Sequence, residues 1–103
     1  MLVRFCFSAL DPADRAEVAR IFAEDVKPAF EAEHGCVGVE LLVRAEQNAG
    51  GLVDGVVVSR WRNDADIDRA VASRGMQESL GRVRQLLRLE PVVRTYVVVD
   101  AGT

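Results

Sequence analysis

Apolar and polar positions alternate from residue 2 to residue 10. Val3, Phe5, Phe7 and Ala9 fall on one face, Leu2, Cys6 and Ser8 on the other, with Arg4 the exception. Alternation of strand-forming residues predicts a strand. The period then changes. Val18, Phe22, Val26 and Phe30 recur at every fourth position, with Ala19 and Ala29 beside them, which predicts one apolar stripe along a helix. Asp11 is placed to cap that helix, Pro12 suits its first position, and Asp14 stands where a capping-box acid would. Pro28 lies inside the stripe, where it removes a backbone hydrogen bond and is expected to kink the helix. Gly35 is placed to end it in a left-handed cap.

Alternation returns over residues 36–45, with Val37, Val39, Leu41 and Val43 on one face and Glu40, Leu42 and Arg44 on the other. The stretch from Glu46 to Gly51 is a turn, and Leu52–Trp61 a third strand, so strands two and three should form a hairpin. Asn63 or Asp64 can cap a second helical region, with Asp66 near its start and Ile67, Ala70 and Val71 on its buried side. Gly75 is expected to split that region in two. Met76, Leu80, Val83 and Leu87 continue at helical spacing, and Pro91 ends the run. A fourth strand over Val92–Asp100 and a frayed tail complete the chain.

The order β-α-β-β-α-β is the ferredoxin-like, split βαβ arrangement: an α+β fold whose antiparallel sheet carries its helices on one face. The other face should then be polar. It is not. Val56, Val57 and Val58 are consecutive, as are Val97, Val98 and Val99, and Leu41 and Leu42 also break the alternation. Successive strand residues point to opposite faces, so apolar groups stand on both. Each buried valine is worth roughly 1.5–3 kcal/mol over an exposed one. A second copy packed sheet to sheet would cover them, and a two-fold homodimer is expected.

Composition narrows the function. A chain of 103 residues suits one domain spanning 1–103. Net charge is -3 with no basic run, so nucleic acid is not an expected partner. No apolar run reaches the roughly 18–20 residues of a membrane span, and the N-terminal stretch lacks the features of a signal peptide. A cytoplasmic protein with no membrane partner is expected. Two cysteines and one histidine are too few for a zinc site built from those ligands alone. Cys6 and Cys36 fall on strands that the fold separates by a third, about 10 Å apart, so both should stay reduced.

The segment Pro28-Ala29-Phe30-Glu31-Ala32-Glu33-His34-Gly35-Cys36, followed by VGVELL, resembles the helix end and second strand of antibiotic biosynthesis monooxygenase-like domains. VVVSRWRNDADIDRAVAS, residues 56–73, resembles their third strand and second helix, and Leu89-Glu90-Pro91 with Tyr96 their closing segment. The resemblance runs over roughly residues 1–100 and implies the dimeric α+β-barrel superfamily. For activity it implies a cofactor-independent monooxygenase acting on a small aromatic of quinol or anthrone type, with no metal and no flavin. Such a reaction borrows its electrons from the substrate anion. The protein supplies an apolar pocket, stabilises the deprotonated oxygen and excludes water.

On this reading Trp61 matches the family's recurrent tryptophan and offers an indole N–H to a substrate oxygen; otherwise it is a core aromatic. His34 is the one side chain whose ordinary pKa lies near neutrality and so suits a general base; otherwise it favours the helix end through the dipole. Phe5, Phe7, Phe22, Met76 and Leu80 are candidates to line a pocket between sheet and helices, or to be plain core. Arg82 stands beside Gly81, where related anthrone oxygenases carry an arginine. Two departures bear on the reading. Ile67 occupies the place of those enzymes' tyrosine. The haem-degrading branch needs an asparagine, a tryptophan and a histidine where this chain has approximately Phe7, Ala70 and Leu80, which argues against haem chemistry. The alternative is a non-catalytic dimeric small-molecule-binding or accessory protein of the same fold.

Overall fold

A computed structural model describes residues 1–102; Thr103, in the expected frayed tail, lies outside them. Strand β1 spans Leu2–Leu10, β2 Cys36–Gln47, β3 Val53–Trp61 and β4 Val92–Val97. They form one antiparallel sheet in the order β2-β3-β1-β4, the ferredoxin-like arrangement. The sheet order puts β3 between Cys6 on β1 and Cys36 on β2, and both cysteines are free.

The first crossover is not one regular helix. Asp11 accepts a bond from the Ala13 amide at 2.9 Å and caps a 3-10 turn over Pro12–Asp14. Helix α1 (Arg15–Ile21) leads into a π-turn over Phe22–Val26, and α2 (Lys27–Glu31) follows. In the π-turn the Lys27 amide donates to Phe22 O, five residues back. This wide turn ends two residues before Pro28, whose ring would clash with the carbonyl four residues earlier in a regular α-helix. Val18, Ile21, Val26 and Phe30 are buried, whereas Phe22 is only partly so.

The second crossover divides into α3 (Asp64–Val71) and α4 (Arg74–Arg84). Asn63 caps α3 through the Asp66 amide at 3.0 Å, and Ser73 caps α4 through the Met76 amide at 3.2 Å. The break therefore lies at Ser73, and Gly75 sits within the first turn of α4 rather than at the interruption. Ile67 and Ala70 are buried as expected, but Val71 is exposed.

Gly35 closes the first crossover with φ +84, as the left-handed cap requires. It packs against the buried Asp66 so closely that no Cβ would fit. Its carbonyl accepts the Arg62 amide at 3.0 Å, so the end of α2 is fastened to the start of α3. Asp66 Oδ1 receives Arg69 at 3.0 Å, and Oδ2 is buried without a partner.

Cross-strand partners share a face, so the register sorts the sheet into rows. On the helix side lie Leu41-Val57-Cys6-Val93, Val39-Ser59-Arg4-Thr95 and Cys36-Trp61-Leu2-Val97. On the open side lie Leu42-Val56-Phe7-Val92 and Glu40-Val58-Phe5-Arg94. The Cys36/Gly38 bulge skips Val37, which is half exposed instead of sharing the face of Val39 and Leu41. Strand β4 ends at Val97, short of Asp100, and every residue in it is exposed. No helix among the described residues is long and apolar enough to cross a membrane.

Candidate functional site

Two small cavities lie between the sheet and the helices. One, about 70 Å3, has Arg4, Phe30, Ser59, Trp61 and Met76 in its wall. The other, about 80 Å3, is bounded by Leu10, Val18, Val83, Arg84 and Leu87. Cys6, Val57 and Leu80 line both, so the two adjoin there.

Trp61 ends β3 with its side chain turned under the helices and is 1% exposed. Its ring packs against Phe30 with centroids 6.1 Å apart and planes tilted by 51°. The indole N–H donates to Ser59 Oγ at 2.8 Å. Ser59 lies two residues earlier on the same strand face and is itself buried. The indole donor is thus already engaged, and the hydroxyl that receives it keeps a proton for which no protein acceptor is found among the described residues.

Arg4 occupies the central strand between Ser59 on β3 and Thr95 on β4. It is partly buried. Most arginines here engage carboxylates, among them Arg60 with Glu40 at 3.1 Å and Arg82 with Asp25 at 3.4 Å. Among the described residues, Arg4 has no carboxylate in ion-pair range. Burial pushes the Cys6 thiol pKa upward, and the positive charges of Arg4 and Arg84 oppose that rise. Burial also raises Cys36, and a backbone hydrogen bond from Gly38 opposes that rise.

Of the residues singled out from sequence, Trp61, Met76 and Leu80 come together on this cavity wall. Phe22 packs on the same core without lining the cavity. Phe5 and Phe7 do not join them. They stand on the opposite face of the sheet, stacked 5.8 Å apart, with Phe5 edge-on to Tyr96. The pleat explains this correction: side chains that share the parity of Val3 point away from those that share the parity of Cys6. His34 is exposed on the turn after α2 and lines neither cavity. Arg82 is held by Asp25 and lines neither cavity.

Arg4, Ser59 and Cys6 are the polar groups that sequence reasoning left out. Arg4 carried a signal, being the one charge that broke the alternation of β1. Ser59 carried only its place two residues before Trp61. Wider hollows of about 550 and 790 Å3 lie along the open sheet face, beside Phe7 and Tyr96, away from Trp61.

Comparison with known proteins bears on this arrangement. Rv0793 from Mycobacterium tuberculosis superposes with a TM-score of 0.72 at 20% identity, covering 99% of this chain and 98% of that one. A crystal structure of an antibiotic biosynthesis monooxygenase gives 0.73 at 19% identity, over 97% and 100% of the two chains. A variant of SnoaB, a cofactor-independent oxygenase from Streptomyces nogalater, gives 0.70 at 20% identity, over 97% and 95%. A sequence comparison with curated proteins finds no match. The family model for antibiotic biosynthesis monooxygenase matches residues 1–81, which include β1, the hairpin, Trp61 and α3. The chain therefore belongs to the antibiotic biosynthesis monooxygenase family.

Proposed function

We propose that this protein is a cofactor-independent monooxygenase of a small phenolic or quinol substrate, working in the cavity between sheet and helices. The observation that carries this reading is Trp61 with Ser59 on the wall of an enclosed, mainly apolar space. Enclosure excludes water from a reactive anion, and a few fixed polar groups orient it. SnoaB, of similar fold, is described as a cofactor-independent oxygenase, which supports the reaction class. For a quinol the stoichiometry closes without a reductant. Quinol and O2 give a hydroxyquinone and water: one oxygen atom enters the ring, and the other leaves with two protons.

The functional unit in this proposal is a cytoplasmic homodimer packed sheet to sheet. The row Leu42-Val56-Phe7-Val92 runs apolar across all four strands of the open face. Phe7 is 42% exposed, Leu42 47% and Tyr96 54%. An apolar face of this kind favours a partner over water.

A non-catalytic binding protein of the same fold is the second reading. Ile67 favours it: this buried side chain, in the place of the related enzymes' tyrosine, has no proton to give.

Oxygen uptake with a panel of single-ring hydroquinones tests the first reading. Uptake above buffer is expected with wild type, reduced in Trp61→Phe and unchanged in His34→Ala. Background uptake across the whole panel would leave the binding-protein reading in place.

A further inference from the structure

We propose that Arg4 and Ser59 form an anion-holding pair that fixes the phenolate oxygen of a single-ring substrate beside Trp61. This rests on the cavity being the substrate site of the proposed function, and it names the ionisation state and size of what enters.

Arg4 stands where the strand pattern calls for an apolar side chain. A partly buried cation without a partner is costly, and neither strand neighbour, Ser59 or Thr95, carries a charge to offset it. A second cation, the exposed Arg84, borders the neighbouring cavity and also has no carboxylate in range among the described residues. Both guanidinium groups act on the Cys6 thiol, which lies where the cavities adjoin. Their field in an otherwise apolar space favours an anion. Ser59 adds direction. Because it accepts the Trp61 N–H, its own proton is the one it has to give. An anionic oxygen between Arg4 and Ser59 would take a charge-assisted bond from the first and a hydroxyl bond from the second. Thr95 continues this polar row to the exposed strand β4, on the uncovered edge of the sheet.

Size limits the ring. A cavity of about 150 Å3 is enough for benzene. Each of these cavities is about half that, and they share a wall of Cys6, Val57 and Leu80, so one ring enters beside Trp61 only by displacing that wall and three fused rings do not fit.

Trp61 is the only tryptophan in the chain, so its fluorescence reports occupancy without any turnover. The probes are 4-nitrophenolate and its neutral counterpart of similar shape, 4-nitrotoluene. Wild type should bind the phenolate about tenfold more tightly than the neutral ring, as a charge-assisted bond allows. The preference should vanish when the pH is lowered until the probe is protonated, a comparison that needs no variant. Arg4→Met should erase the preference while keeping affinity for 4-nitrotoluene, Arg4→Lys should retain part of it, and Ser59→Ala should weaken it. Arg84→Met should matter less than Arg4→Met. Equal binding of the two probes by wild type, binding of neither, a preference that survives Arg4→Met, or a larger effect at Arg84 would overturn the assignment. A protein that prefers the phenolate but consumes no oxygen with any quinol keeps this pair and loses the monooxygenase reading. Uptake without an anion preference does the reverse.

Discussion

Trp61 and Ser59, two residues apart on β3, meet out of reach of water: the indole N–H donates to the serine oxygen at 2.8 Å. Removing either partner strands the other. A buried polar group left unpaired costs roughly 1–3 kcal/mol, whereas removing both partners can be nearly neutral. Ser59→Ala and Trp61→Phe should each destabilise, and the double variant should lose less than the two losses combined. Urea denaturation of all four proteins measures the coupling, expected at about 0.5–1.5 kcal/mol.

Gly35 and Gly81 should respond to alanine in opposite directions. At Gly35 the positive φ alone costs a non-glycine residue about 1–3 kcal/mol, and overlap with Asp66 adds to it. At Gly81, inside α4, a Cβ meets nothing within 4 Å, so alanine should stabilise by roughly 0.5–1 kcal/mol. Thermal melts should separate the two, because each kcal/mol moves Tm by about 4–8 °C in a domain of this size.

If the open face is a dimer contact, charge placed in its apolar row will split it. Wild type should sediment as a dimer at micromolar concentration. Phe7→Glu combined with Leu42→Glu should sediment as a monomer that keeps its far-ultraviolet spectrum. A monomeric wild type would remove the sheet-to-sheet proposal.

The Cys6 and Cys36 thiols should be poor nucleophiles at neutral pH, since burial raises both above their ordinary value of 9.0. The sign for stability follows. In the unfolded chain the thiols ionise from about pH 9, while the folded chain holds its protons longer. Their contribution is fully present below that pH and is lost as pH rises through the folded values. Alkylation by iodoacetamide should be slow in folded protein and fast in urea. The fall in stability above pH 9 should be shallower in Cys6→Ala.

The strands were legible because alternation and strand propensity are local properties, and the second survives even in β4, where every residue is exposed. Which face meets the helices was less so. Val3, Phe5 and Phe7 are more hydrophobic than Arg4, Cys6 and Ser8, yet the polar set faces the helices. Hydrophobicity cannot choose between two faces that are both to be covered. That same substitution of polar for apolar groups hid the site, because Arg4 looked like an error in the pattern. The second helix divides at Ser73 because a serine cap provides a bond to the Met76 amide, while glycine at 75 offers only freedom. The wide turn in the first crossover did leave a trace. A stripe at every fourth residue drifts by about 40° per repeat around an α-helix of 3.6 residues per turn. Val18 to Phe30 keeps that spacing for three repeats, which a wider turn absorbs.

That π-turn has a consequence for insertions and deletions. One residue added to a helix rotates everything after it by about 100°. The segment Phe22–Val26 thereby sets the phase of α2, and with it the bearing of Phe30 on the indole ring 6.1 Å away. Losing one residue there would shorten the sequence by a trifle and leave a respectable helix, but one turned out of register with the cavity it lines. The shape of the chamber is set in this stretch by residue count as much as by residue type.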